Sequence, residues 1–515
     1  MKKDQNITLA WSQYEAGKSY KRRIGLYETV RRNDNFYKGN QWQSDANALP
    51  RPVFNLVRRI TDFLIGSVAS GSPAIHYTDE RLPFLDNAQE RERVTLGLSM
   101  LNKNAAYRWT QNRMNELSQR ALLDAAISGD AVFYCWWDNT CDCGQPFCGD
   151  IRTDLIPNTG FFPADPESSD IQSQDSIILS GRATLSSIRR EAIEYGMSPE
   201  EAEKICADSD SDTVDSIGTV SSPTPKVTYL IRFWKEGGEV MFEKCTKTHL
   251  IRRSATGLRL YPVAYFNWYP NRHSCHGSSP ISEMIPNQKY INSAYAMIMK
   301  HMSDTAFSKV IYDKSRIPEW SNEVGEAIAA MGGGNVSDAV SVVGVGQLQE
   351  GYLDLIESVI RNTKSMMNAT ESALGDEKAN NTSAILALQQ ASRTALKQLG
   401  ERFDRCIGEL ASIWADMLCT YSPSERLLPV PEGGEIRARS IDYKLLKREL
   451  LHATAQTEHI DRFTPSATVA VLDRLLDNGH ITPEQYLEHL PDGCINDKNS
   501  LMMSIGEKGA QKSNV

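Results

Sequence analysis

The sequence predicts an α+β protein that is mainly helical and built around one very long helix. Three observations predict it. First, Ile385, Leu388, Leu396, Leu399, Phe403, Ile407, Leu410, Trp414, Met417 and Tyr421 fall mostly at steps of three and four, which is one apolar face at 3.6 residues per turn. Second, compact aromatic and alternating runs between residues 131 and 268 read as strands. Third, polar amphipathic helical patterns fill most of the remainder.

The long helix spans 383–422. Thr382 or Ser383 caps its start, and Pro423 stops it just past Tyr421. Forty residues make a rod of about 60 Å. Gly400 and Gly408 lie inside it, and each weakens the helix by about 1 kcal/mol relative to Ala, so a bend is expected. A rod this long needs partners along its length, either within one chain or from neighbouring copies.

The chain has 515 residues, enough for two to four domains. It is 41% hydrophobic and 23% charged, an ordinary balance for a folded globular protein. No apolar run of about 18 residues is present, so no membrane helix is expected. The start, Met1-Lys2-Lys3-Asp4-Gln5-Asn6, leads into a polar helix and not a secretion signal. The net charge of −9 argues against wrapping nucleic acid by bulk attraction, which needs a clustered basic face. It leaves room for a surface along which DNA slides without sticking.

In chain order, 9–38 reads as a surface helix that Gly39 ends. Further helices are expected at 54–70, 87–103 and 112–128. Strands follow at 131–137, 150–156 and 176–182, with 157–166 a Pro-punctuated loop and a short helix at 185–195. Residues 207–225 are Ser, Asp, Thr and Pro and read as a surface loop. A hairpin, 227–234 and 240–247, turns at Gly237-Gly238, and 261–268 closes the region. Beyond the long helix, strands are expected near 435–441 and 450–459. Three short helices follow at 465–478, 483–489 and 498–507.

Catalytic signatures are absent from the pattern. Gly17-Lys18-Ser19 lacks the upstream Gly of a phosphate loop and sits in a helix. No nucleophile elbow, zincin motif or dinucleotide fingerprint occurs, and no cofactor is implied. Of ten cysteines, Cys135, Cys141, Cys143 and Cys148 are crowded. They are weak metal candidates, because their spacing is not that of a zinc finger or ribbon; reduced thiols at a hairpin tip are the plainer reading. His273, Cys275 and His276 share a Pro- and Gly-flanked loop, read as solvated.

Several motifs in a fixed order resemble a known family. They are Phe36-Tyr37-Lys38-Gly39-Asn40-Gln41-Trp42, Asn55 opening the next helix, Gly129-Asp130-Ala131-Val132, and Pro262-Val263-Ala264-Tyr265-Phe266. The most specific is His276-Gly277-Ser278-Ser279-Pro280-Ile281, followed by Ile285-Pro286-Asn287-Gln288 and Ile291-Asn292 at the start of a long helix. With the helix, insert, helix, loop and bent helix that follow, the chain resembles the portal proteins of tailed bacteriophages. The crowded cysteines and the 207–225 loop depart from that pattern.

The resemblance implies a non-enzymatic, structural homo-oligomeric ring, usually of twelve copies, at one capsid vertex. Double-stranded DNA passes through its channel during genome packaging and ejection. It implies the terminase large subunit, a head–tail adaptor, and major capsid and scaffold proteins as partners, with no membrane. The location implied is the virion, and the host cytoplasm during assembly. Carried onto this chain, the wing is 1–278 with 423–460 as return strands. The stem helices are 279–308 and 352–374, with the clip at 309–351. The tunnel loop is 375–382, the bent helix 383–422 and the crown 461–515.

On that reading Lys378, Asn380 and Asn381 of the tunnel loop face DNA, and Lys300, Lys364 and Lys378 supply cations in a mainly acidic channel. Val340, Val342 and Val343 of the clip make contacts between subunits or to the adaptor; an apolar strand left unpaired is an aggregation risk. The alternative reading is an intracellular metal-dependent enzyme using the Cys135–Cys148 cluster.

Overall fold

A computed structural model describes residues 2–42, 50–69, 73–208, 224–305, 309–321, 323, 327–343, 351–369, 382–423, 426–432, 435–440, 443, 446, 451–457 and 464–490. Helices and sheets are mixed, as an α+β protein requires. The N-terminal helices are α1 (Lys2–Arg23), α2 (Leu26–Lys38), α3 (Leu56–Val68), α4 (Ala88–Gln111) and α5 (Met114–Ser128), with strand β1 (Pro73–Asp79) between α3 and α4. The helix expected over 9–38 is two helices. Gly25 adopts φ 69 and breaks it, a left-handed conformation that costs a glycine little.

The β-rich part begins with β2 (Asp130–Asp142), β3 (Cys148–Ile156), β4 (Phe161–Pro163) and β5 (Ser176–Thr184). Short helices α6 (Leu185–Glu194) and α7 (Pro199–Glu203) follow. Then come β6 (Lys226–Glu236), β7 (Glu239–Thr246), β8 (Leu250–Ala255) and β9 (Val263–Asn267). One sheet has the order β3-β2-β9, and a second runs β4-β5-β6-β7-β8. Every strand pair in both is antiparallel. Part of the expected Pro-rich loop is β4, since Phe161 and Phe162 bury their rings and Phe161–Pro163 pairs with β5. β8 escapes an alternation search because Arg252-Arg253 interrupts its apolar pattern.

The C-terminal half holds α8 (Pro280–Thr305), β10 (Lys309–Tyr312), β11 (Val340–Val343), α9 (Gly351–Met366) and α10 (Thr382–Tyr421). It continues with β12 (Leu427–Glu432), β13 (Glu435–Ser440), β14 (Leu451–Thr457), α11 (Thr464–Asp477) and α12 (Pro483–His489). The second helix of the pair, expected to reach 374, stops at Met366. Asn368 takes φ 55, and Ala369 N–H bonds back to the Lys364 carbonyl, a C-terminal closure that Asn tolerates. The expected helix at 498–507 lies outside the described residues, as do most of the 207–225 loop and the tunnel-loop residues 375–381.

The core is organised on α10. Leu399, Phe403, Ile407, Leu410, Trp414 and Leu418 are buried in one large cluster with residues of α3, α4, α5, β2 and β9. A Cβ on Gly408 would stand 3.1 Å from the Ala453 carbonyl oxygen, so glycine there lets β14 lie against the helix. β14 in turn pairs with β1 over its whole length. Polar anchors fix the axial position of α10. Trp414 Nε1 donates to Thr153 Oγ1 at 3.1 Å, and Tyr77 donates to the Ala411 carbonyl at 2.9 Å. Asp416 accepts from the Arg259 and Leu260 amides at 2.8 and 3.0 Å.

Candidate functional site

Two polar knots hold the base of α8, and both are made from the motifs singled out in the sequence. The first centres on Asp130, a buried carboxylate at the start of β2. It accepts from Asn267 Nδ2 at 2.8 Å, Gly277 N at 2.6 Å, His276 Nδ1 at 2.9 Å and Asn158 Nδ2 at 3.1 Å. A carboxylate satisfied four times over can be buried without a paired cation in contact. Next to it, Gly129 has φ +98, and a Cβ there would lie 2.3 Å from the Gly277 carbonyl oxygen. The two glycines therefore let residues 129–130 and 276–278 touch backbone to backbone, three residues before α8 begins at Pro280.

The second knot sits about two to three turns into α8. Gln288 Oε1 accepts from the Leu56 and Val57 amides at 3.0 and 3.3 Å, and Gln288 Nε2 donates to the Phe54 carbonyl and to Asn292 Oδ1, both at 2.9 Å. Asn292 Nδ2 donates to Gln41 Oε1 at 2.6 Å. Gln41 Nε2 donates to Asn55 Oδ1 at 3.1 Å, and Asn55 caps α3 by accepting from Arg58 N at 3.1 Å. Residues 36–42, 55 and 285–292 are thus one connected network. An unpaired N-terminal amide of α3 would otherwise be orphaned at the helix start.

Above the knots α8 and α9 pack as a pair. Ile291, Ala294 and Ile356 form their seam with Ile298, Val359 and Ile360, and Asn287 Nδ2 donates to Thr363 Oγ1 at 3.0 Å. The outer faces are apolar and open. Tyr290, Met297 and Met302 on α8, and Tyr352, Leu353 and Leu355 on α9, are exposed large hydrophobics. Between the helices, β10 and β11 form a two-stranded antiparallel sheet in which Val310 faces Val342. Ile311 and Val342 are exposed, Val342 at 58%. A two-stranded ribbon with open edges and apolar faces is incomplete alone.

The expected site residues fall as follows. Val340 is half-buried, and Val343 lies on β11 at the register position opposite Lys309. Lys300 is on α8 and pairs with Asp304 at 2.8 Å. Lys364 lies in the last turn of α9 and is 8% exposed, so contact with DNA would require its side chain to swing outward. Lys378, Asn380 and Asn381 lie outside the described residues.

The cysteines do not converge. Cys135 is buried opposite Thr153 near the start of the hairpin, whereas Asp142 pairs with Cys148 at its tip. Seven residues of strand put roughly 20 Å between those ends, too far for a shared ion. Burial pushes the Cys135 thiol up to about 12, which disfavours the thiolate a metal needs. Cys141 contacts Arg152, and Cys143 faces the Phe147 and Gly149 carbonyls. Among the described residues no group of three or more metal-binding side chains is assembled, so the metal-enzyme alternative loses its site. The hairpin tip instead grips the chain after α10, through two hydrogen bonds between Gln145 and Leu427 at 3.1 and 2.8 Å. Of the loop expected to be solvated, His273 is exposed, whereas Cys275 and His276 are buried, because both belong to the Asp130 knot.

Sequence reasoning quoted Gln288, Asn292 and Asp130 without reading their role. The signal was available: Gln288 and Asn292 are polar at i and i+4 on the same stretch as buried Ile285 and Ile291, an arrangement that demands internal partners.

Comparison with known proteins agrees with this region. Residues 235–436 match the family described as phage P22-like portal protein, a span that contains α8, the β10–β11 ribbon, α9 and α10. No curated protein matches the chain. Among solved structures, a chain from a structure titled "Virion of native gene transfer agent (GTA) particle" aligns at 10% identity, covering 85% of this chain and 89% of its own, with a TM-score of 0.38. The resemblance read from the ordered motifs is thus matched by an independent family comparison: over residues 235–436 this chain is similar to the P22-like portal proteins of phages, which supports a portal role.

Proposed function

We propose that this protein is the portal ring of a tailed phage, a non-enzymatic channel for DNA at one capsid vertex. The observation that carries the proposal is the open apolar surface of α8, α9 and the β10–β11 ribbon, within the segment that matches the family. Side-by-side copies would cover those faces and extend the ribbon, which removes an edge that is hazardous when bare. In this reading 279–308 and 352–374 form the stem around the channel and 309–351 the clip. The wing is 1–278 with 423–460, and the crown is 461–515. Val340, Val342 and Val343 take part in contacts between clips, and the outer clip surface receives the terminase motor and later the head–tail adaptor.

The channel should be acidic with isolated cations, since the chain carries a net charge of −9 that a ring repeats in every copy. A continuous basic lining would hold DNA through counterion release and act as a brake. Lys300, Lys364 and, in the 375–382 loop, Lys378 are the cations we assign to brief phosphate contact, with Asn380 and Asn381 beside Lys378. Twelve copies, the capsid and scaffold proteins as neighbours, and residence in the virion after assembly in the host cytoplasm complete the proposal. Deleting 376–381 tests it: rings should still form, and DNA packaging or retention should fall. Normal packaging by the deletion would remove the tunnel assignment.

A further inference from the structure

We propose that α1 is a latch on the root of α8, pinned by Lys21 and able to pivot about Gly25.

α1 lies across the face of the five-stranded sheet. Ile7, Ala10 and Tyr14 are buried against Phe162, Ile178, Leu230 and Cys245, a small cluster separate from the main core. Gly17 admits the Phe162 ring, since a Cβ there would stand 2.6 Å from a ring carbon. The helix therefore rests on a small apolar cluster and one Trp11 indole bond to the Thr246 carbonyl at 2.9 Å, and a turn at Gly25, φ 69, joins its C-terminal end to α2. Segments with small satellite cores open before the main core does.

Lys21 is buried near the C-terminal end of α1. It is 1% exposed, and its Nζ donates to the carbonyls of Asn158 and Phe161, each at 2.5 Å. Asn158 carries the contact onward: its Nδ2 donates to Asp130 Oδ2 at 3.1 Å and to the Ser128 carbonyl at 3.3 Å. Asp130 holds Gly277 N and His276 Nδ1, and α8 starts three residues later. One hydrogen-bonded chain thus runs from α1 to residues 276–277, which lead into α8. Opening α1 withdraws the donor from two carbonyls and loosens Asn158, whose backbone carbonyl meets Lys21 and whose side chain meets Asp130.

The pin is sensitive to protons because a lysine in this site is stripped of water. The ionisable groups around it are Tyr20 on its own helix, Asp130 on β2, and Cys275 and His276 before α8. Burial pulls the Lys21 ammonium down from 10.5 to about 7, against the opposing attraction of Cys275 and Asp130. The released helix has its lysine in water at the ordinary value. Between pH 7 and 10.5 the open form binds more protons, so docking strengthens as pH rises through that window. From pH 7 to pH 9 the docking constant should rise about 50-fold on these two values. Below pH 7 both forms are protonated and the dependence flattens.

The test is amide hydrogen exchange of the intact protein, corrected for the intrinsic effect of pH, on peptides covering 7–23 and 276–290. The opening constant of α1 should fall about 50-fold from pH 7 to pH 9, and protection of 276–285 should follow it. In Lys21→Met, α1 should lose that dependence at whatever stability the helix retains. If wild-type α1 opens equally at both pH values, or Lys21→Met keeps the change, the pin is not Lys21. If 276–285 is indifferent to the state of α1, the latch does not reach α8. Should Lys21→Met not fold, the two wild-type measurements decide alone.

Discussion

Replacing Gln288 by Ala should detach the N-terminal helices from α8 without unfolding the chain. Gln288 is buried and serves four partners: two α3 amides, one carbonyl and Asn292. The Phe54 carbonyl belongs to an exposed residue and can turn to water, and the Leu56 amide sits at a half-buried position. The Val57 amide and Asn292 Oδ1 belong to residues that are almost wholly buried and have nowhere to turn. A buried polar group left unpaired costs about 1–3 kcal/mol, so the two together cost about 2–6 kcal/mol. Even the lower figure is roughly a 30-fold change in a local opening constant. Exchange protection at 56–60 and 288–292 should fall by at least that factor, while α10 keeps its protection. Gln288→Glu should not rescue at neutral pH: it keeps an acceptor for the two amides but aims a carboxylate at the acceptors of Phe54 and Asn292. If Gln288→Ala leaves exchange at both segments within about threefold of wild type, the knot is not what joins these elements.

Three other outcomes are expected. Val342→Asp should leave the isolated chain folded, because the side chain is 58% exposed there, yet should abolish or weaken assembly if copies cover it; circular dichroism and mass in solution separate the two effects. Gly129→Ala should lower the urea midpoint sharply or prevent folding, since the added carbon meets the Gly277 carbonyl. Gly237→Ala has open space and should cost only about 1 kcal/mol for its φ of +61. A thiol reagent at pH 8 should label exposed Cys148 and Cys206 at once and reach Cys135 only on unfolding, with chelators leaving the melting temperature unchanged.

Much of the fold was legible because its signals are long and local. The apolar face of α10 repeats over many turns, and its expected bounds of 383–422 lie one residue from those observed at both ends. The Gly237-Gly238 hairpin announced itself through its turn. What was missed depends on distant partners. β1 has no core of its own and exists because β14 pairs with it nearly 380 residues later. β10 and β12 are likewise fixed by antiparallel partners and not by period. Gly408 illustrates a different limit. Its cost to the helix was readable, whereas the Ala453 backbone it admits was not. At the candidate site the motifs were visible but their meeting was not: Asp130, His276 and Gly277 read as pieces of a strand and a loop until folding stacks them. The cysteines, read chiefly as reduced thiols at a hairpin tip, are free, with Cys141, Cys143 and Cys148 near that tip; Cys135 lies apart from them because closeness in sequence along an extended hairpin becomes separation in space.

The most direct test of the central claim is the mass and electron micrograph of the purified full-length protein. A closed ring with a central channel is predicted, near twelve times 57.6 kDa, with the α8–α9 pair lining the channel and the β10–β11 ribbon at one end. A stable monomer, a small globular oligomer or an open filament would contradict it, as would a ring whose α8–α9 pair lies on the outer rim.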